Sequence, residues 1–211
     1  MKRTKKIALI MLAVALMAVC FVFGASALDA TGQCGDNVYW SFNENTGELV
    51  IYGEGDMWNY DESPFSFSDV TKIVVEDGVT TIGENAFYIC DKLKSVSISN
   101  TVEIISEYSF FCCRSLSEVN MSEGLRFIGV NAFYGCNRLV DIVLPDSVTV
   151  IESLAFAECS LQNIKIPDNV TYIGELAFSL LPFLKDITIE GIEVELDKNA
   201  FCITTAIIVG I

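Results

Sequence analysis

Cysteine and carboxylate are the side chains in this 211-residue sequence with a capacity for chemistry, because histidine is absent. That absence excludes Ser-His-Asp and Cys-His nucleophilic catalysis and every histidine-bearing zinc site. The 28 Asp and Glu residues leave a glycosidase-like carboxylate pair compatible with composition, yet their distribution over surface-type positions argues against one. There is no C-x-x-C pair, no phosphate-binding glycine loop and no Asp-x-Asp-x-Asp-Gly calcium loop. The chain therefore reads as a non-enzyme without a cofactor or a metal site.

The cysteines follow a spacing of their own. Cys90, Cys113, Cys136 and Cys159 each stand three residues after a phenylalanine. A small, weakly polar thiol at a tight bend can face backbone carbonyls, so these four are expected to be buried and reduced. Neighbouring rungs of a stacked chain lie about 4.8 Å apart, which leaves a bridge between rungs open on distance alone. The adjacent Cys112 and Cys113 are poorly placed to pair with each other. Cys34 and Cys202 complete a set of seven beyond residue 27, and an odd count leaves at least one free thiol.

The elements that position these residues repeat. Phe87, Phe110, Phe133, Phe156, Phe178 and Phe201 share a step of about 23 residues, and Ile82, Ile105, Ile128, Ile151, Ile173 and Leu196 keep the same step. Such a period means a solenoid, in which each unit buries its apolar edge only against its neighbours. Within a unit, Leu93, Val96 and Ile98 alternate inward, and the later units repeat the pattern, so each contributes a short strand to a parallel sheet. A second extended piece crosses the opposite side. A Glu-Asn-Ala-Phe-like stretch then returns the chain through a short helical or 3₁₀ turn, with Ala86, Ala132, Ala155, Ala177 and Ala200 allowing close approach.

The ends differ from this pattern. Lys2, Arg3, Lys5 and Lys6 precede the uncharged apolar stretch Ile7–Gly24, and Ala25-Ser26-Ala27 supplies small residues for cleavage. Residues 1–27 read as a secretory signal, with a retained membrane anchor as the alternative. Val19 before Cys20 is too bulky for lipidation. Loss of the signal leaves 9 of the 13 basic residues against 28 acids and moves the net charge from −15 to −19. A surface so acidic repels nucleic acid and anionic lipid. No later segment is long and apolar enough to insert into a membrane. In residues 28–66, Val38, Trp40 and Phe42 alternate, Asn43–Gly47 turns, and Leu49 and Ile51 alternate again, which predicts a β-hairpin capping module. Residues 67–211 then carry the repeats.

The unit pattern resembles the BspA-type bacterial leucine-rich repeat. Cys136, Leu139, Ile142, Leu144, Pro145, Val148, Ile151, Ala155, Phe156 and Cys159 match it best. Leu181 and Thr204 depart at the cysteine position, and Ser109 departs at an alanine. The resemblance implies a mainly β repeat solenoid with a leucine-rich-repeat parallel sheet behind an N-terminal hairpin cap. It also implies a secreted or cell-surface protein that binds a protein or glycan on a host or bacterial surface, in adhesion. A structural or spacer module of the cell envelope without a ligand is the alternative.

Two surfaces are candidates for a partner. One is the outward face of the sheet, formed by Ser95, Ser97, Glu118, Asn120, Asp141, Val143, Asn163, Lys165, Asp186 and Thr188. The other is the column Ile104, Phe127, Val150 and Tyr172 on the opposite wall. Branched and aromatic side chains also favour extended backbone for its own sake, so a solvated sheet face is the plain reading of both.

Overall fold

A computed structural model describes residues 30–66, 69–190, 194–197, 199–202 and 207–209. The signal sequence expected at 1–27 and the ladder departure at Thr204 lie outside the described residues. The N-terminal region supplies β1 (Ala30–Gln33), β2 (Val38–Asn43), β3 (Glu48–Gly53) and β4 (Gly55–Asp56). Next come β5 (Lys72–Val75) with β6 (Val79–Ile82), β7 (Ser95–Ile98) with β8 (Ile104–Ile105), and β9 (Glu118–Asn120) with β10 (Phe127–Ile128). The following coil has only β11 (Val150–Ile151). The last coils give β12 (Asn163–Ile166) with β13 (Tyr172–Ile173), β14 (Asp186–Ile189) with β15 (Glu195–Leu196), and β16 (Ile207–Val209).

These strands form two walls of a solenoid. One wall is a seven-stranded sheet in the order β15-β13-β11-β10-β8-β6-β4, all parallel. The opposite wall is divided into a six-stranded sheet, β1-β2-β3-β5-β7-β9, and a three-stranded sheet, β12-β14-β16. The hairpin β2–β3 forms as expected, closed by Asn43, whose Oδ1 accepts from the N–H groups of Asn45 and Thr46. β3 also pairs in parallel with β5, and β4 with β6, so residues 48–56 already form the first rung of both walls.

Between the walls the phenylalanines stack. Phe87, Phe110, Phe133, Phe156 and Phe178 are fully buried, with ring centroids 5.2–5.3 Å apart from one coil to the next. Phe201 continues the column at 5.5 Å. Phe65 stacks on Phe87 at 5.5 Å, and Trp40 closes the end edge-on. The expected column omitted Phe65, because Ser63-Pro64-Phe65 lacks the alanine that marks the other bends.

The bends contain no helix among the described residues; they are successive turns with a regular bonding rule. Asn85, Phe87 and Ile89 donate N–H bonds to the carbonyls of Glu107, Ser109 and Phe111 in the next coil. The N–H groups between them, of Ala86, Tyr88 and Cys90, turn back to Gly83, Asn85 and Phe87. Alternating the two directions requires left-handed backbone at two positions per bend, as at Asn85 and Ile89, both with φ 54°. The small residue beneath each bend is buried, and Ser109 fits the alanine position by donating its hydroxyl to Ser106 O (2.6 Å) or Gly83 O (3.1 Å).

Candidate binding surface

The cysteine ladder lies inside the bends, away from any partner. Cys113, Cys136 and Cys159 donate Sγ–H to the carbonyls of Phe87, Phe110 and Phe133 at 3.2–3.3 Å, one coil back. All seven described cysteines are free thiols. Burial pushes Cys34, Cys90 and Cys159 up to about 12, and Cys113 and Cys136 well above the ordinary thiol value. Groups so reluctant to form a thiolate are poor nucleophiles. Among the described residues no cluster of three or more Cys, Asp or Glu side chains is arranged to hold a metal ion. No helix among them is long and apolar enough to cross a membrane.

The column on the seven-stranded wall is continuous. Ile104 pairs with Phe127, Phe127 with Val150, Val150 with Tyr172, and Tyr172 with Glu195. Each sits beside a buried isoleucine of the same strand, so the pleat turns the column outward. Ile104 is 38% exposed and the other three are half-buried. Desolvation, and then the carboxylates of Glu152, Asp197, Glu195 and Glu175, hold the Tyr172 phenol above its ordinary value.

The face of the divided wall is only partly assembled. Ser95 lies beside Glu118 and Ser97 beside Asn120, whose amide donates to Glu118 Oε1 at 2.9 Å. Asn163 lies beside Asp186 and Lys165 beside Thr188. Asp141 and Val143 join neither group, because Asp141–Leu144 pairs with neither β9 nor β12. This corrects the expectation of one uninterrupted sheet. The next bend is one residue short, with Cys159-Ser160-Leu161 in place of Cys136-Asn137-Arg138-Leu139. Ser160 and Gln162 accordingly donate to Leu139 O and Val140 O, and the register is carried no further.

A second aromatic stack was missed by the sequence reading. Tyr88, Phe111 and Tyr134 are half-buried outside the bends, with centroids 4.9 and 5.0 Å apart and planes within 9° of parallel. Its signal was present in the doublets Phe87-Tyr88, Phe110-Phe111 and Phe133-Tyr134.

With six copies, the model of the BspA type leucine rich repeat region matches residues 59–185 and 126–208. The chain belongs to the BspA-type leucine-rich-repeat family. No curated protein matches it. Among solved structures, a leucine-rich repeat protein from Eubacterium ventriosum shares the fold at 22% identity and TM-score 0.66, over 82% of this chain and 45% of that one. The Treponema pallidum leucine-rich repeat protein is 27% identical at TM-score 0.57, over 71% of this chain and 67% of that one. A leucine rich cell surface protein from Faecalibacterium prausnitzii is 25% identical at TM-score 0.50, over 83% of this chain and 58% of that one. This BspA-type chain thus spans about half the length of the Eubacterium protein and somewhat more of the other two.

Proposed function

We propose that this BspA-type protein is secreted and, without catalysis, binds a protein or glycan on a host or bacterial surface. In this reading residues 1–27 are a removed signal, residues 28–66 seal the N-terminal end, and residues 67–211 carry the binding walls. The observation that carries it is the in-register column Ile104–Phe127–Val150–Tyr172, exposed or half-buried on a wall held rigid by the phenylalanine spine. Rigid repeated surfaces bind through many weak contacts, with little ordering cost on association. The similarity to a cell surface protein of Faecalibacterium supports the location.

The acidic face of the divided wall favours a cationic partner. Asp141 and Asp186 form no ion pair among the described residues, so their charge is available. Immobilised residues 28–211 should retain a partner from extracellular-matrix or bacterial-surface extracts, and the same protein thermally unfolded should not. Glu118→Lys with Asp141→Lys should then weaken capture about tenfold. Unchanged capture would remove that face from the binding surface. Empty columns from demonstrably folded protein would favour the spacer role.

A further inference from the structure

The apolar column of the seven-stranded wall has ends of different character. It begins beside Thr81, which pairs with Ile104, and it stops at Glu195, which pairs with Tyr172. Near its first rungs Glu103 and Arg126, both exposed, offset each other in charge. Near its last rung the charge has one sign. Glu152 and Asp197 stand two residues beyond Val150 and Glu195, and their N–H groups continue the ladder to the carbonyls of Ile128 and Ile173. The alternation of the pleat therefore turns both toward the outward face. Glu175 is exposed at the start of the adjoining bend. After desolvation, Glu152, Asp197, Glu195 and Glu175 are the groups that raise the Tyr172 phenol, so all four lie within electrostatic reach of its ring.

These carboxylates have no cation among the described residues. The ion pairs there lie on the divided wall, at Lys72–Glu48 and Lys165–Glu190, or around the bends, at Lys92–Asp69 and Arg114–Asp91. Glu175 accepts one neutral bond, from Asn199 Nδ2 at 3.3 Å. The strands β11, β13 and β15, with the residues that follow them to Ser153, Glu175 and Asp197, contain no Lys or Arg. Lys198 lies outside the described residues. Along the near edge of the column, Thr149 and Thr171 turn their hydroxyls down to the carbonyls of Arg126 and Thr149, which leaves the column standing above that edge.

We infer that this wall docks an amphipathic helix of a partner, its apolar stripe on Ile104, Phe127 and Val150 and its lysine or arginine residues at the Tyr172 end. The step of the column selects the helix. Rungs recur about every 4.8 Å, close to the helical pitch of about 5.4 Å and well short of the roughly 6.7 Å between same-face residues of a strand. Over three steps a helix drifts from the column by about 2 Å, which side-chain rotamers absorb, whereas a strand laid along it drifts by about 6 Å. The sign of the charge selects the basic end, and a cation there can also rest on the Tyr172 ring. This assignment rests on reading the column as the partner-binding surface, and it names the partner's chemistry.

The probe is an alanine-rich peptide of about 18 residues, acetylated and amidated, with leucine at i, i+4 and i+7 and three lysines around i+11. It is titrated against the full-length chain by fluorescence anisotropy. Saturable binding is expected, and a peptide of the same composition with its leucines scrambled should bind about tenfold more weakly. Glu152→Gln with Glu195→Gln should weaken binding about tenfold, and Phe127→Ser should weaken it similarly. Glu118→Gln with Asp141→Asn makes the same change of charge on the other wall and should leave binding unaltered. An unchanged thermal transition would show that each variant folds. Absence of saturable binding, equal binding of the scrambled peptide, or equal weakening by the two carboxylate pairs overturns the helix site. A natural partner captured from extracts and not displaced by the peptide leaves the adhesion reading standing and the helix site refuted. Peptide binding that meets every control, without any natural capture, does the reverse.

Discussion

At the scale of single residues, the cysteine ladder ties stability to pH. An unfolded thiol releases its proton near 9, whereas burial holds Cys34, Cys90 and Cys159 protonated to about 12. Between those values the native state binds more protons than the unfolded one, so stability falls as pH rises. The contribution is complete below pH 9 and is lost progressively toward 12, at about 1.4 kcal/mol per pH unit for each thiol. Urea midpoints measured from pH 8 to 11 should therefore decline, and Cys159→Ala should flatten the decline while costing some stability at pH 8. A slope unchanged by that substitution would place the alkaline sensitivity elsewhere. The repeating Phe-x-x-Cys spacing alone made the ladder legible. The upward shift of Tyr60, caused mainly by burial, was not legible, because it arises from packing across 26 residues against Cys34.

At the scale of the element, the bend depends on left-handed backbone at two positions per coil. Asn85, Asn131 and Gly135 are residue types that tolerate it, but Tyr108, Leu154, Leu176 and Ile89 are not. That mixture hid the conformation from a reading of residue types and suggested a helical turn instead. The hydrogen bonds to the next coil hold the bulky residues in place, so the strain is offset by stacking. Gly135, at φ 70°, is the residue most easily tested. A Cβ there would lie 3.0 Å from Cys112 Sγ and would meet the left-handed penalty as well. Gly135→Ala should cost about 1–2 kcal/mol in chemical denaturation. If relief of the thiol contact recovers part of this, Gly135→Ala with Cys112→Ala should be less destabilised than Gly135→Ala with Cys112 intact. Equal losses would assign the whole effect to the backbone.

At the scale of the whole molecule, stability in a solenoid is a sum over neighbouring coils, and the coils here are not equally joined. The phenylalanine period and the alternating core announced the solenoid. The break in one wall gave no such notice, since Cys136–Cys159 fits the family pattern better than any other unit and the one-residue deletion follows it. At the break, coils are joined by the seven-stranded wall, the bends and the spine, but not by the long strands. Removing a spine ring there should therefore divide the molecule, while removing one elsewhere should only weaken it. Phe156→Ala and Phe110→Ala both delete a fully buried ring and should each cost about 3–5 kcal/mol. Their cooperativity should differ. Both tryptophans, Trp40 and Trp58, lie in the N-terminal part, whereas far-ultraviolet circular dichroism reports all coils. In Phe110→Ala, flanked by the paired strands β5, β7 and β9, the two signals should stay coincident through urea unfolding. In Phe156→Ala the circular dichroism should begin to fall at lower urea than the tryptophan signal, as the C-terminal coils unfold first. Coincident curves in both variants would mean that the continuous wall alone couples the coils across the break.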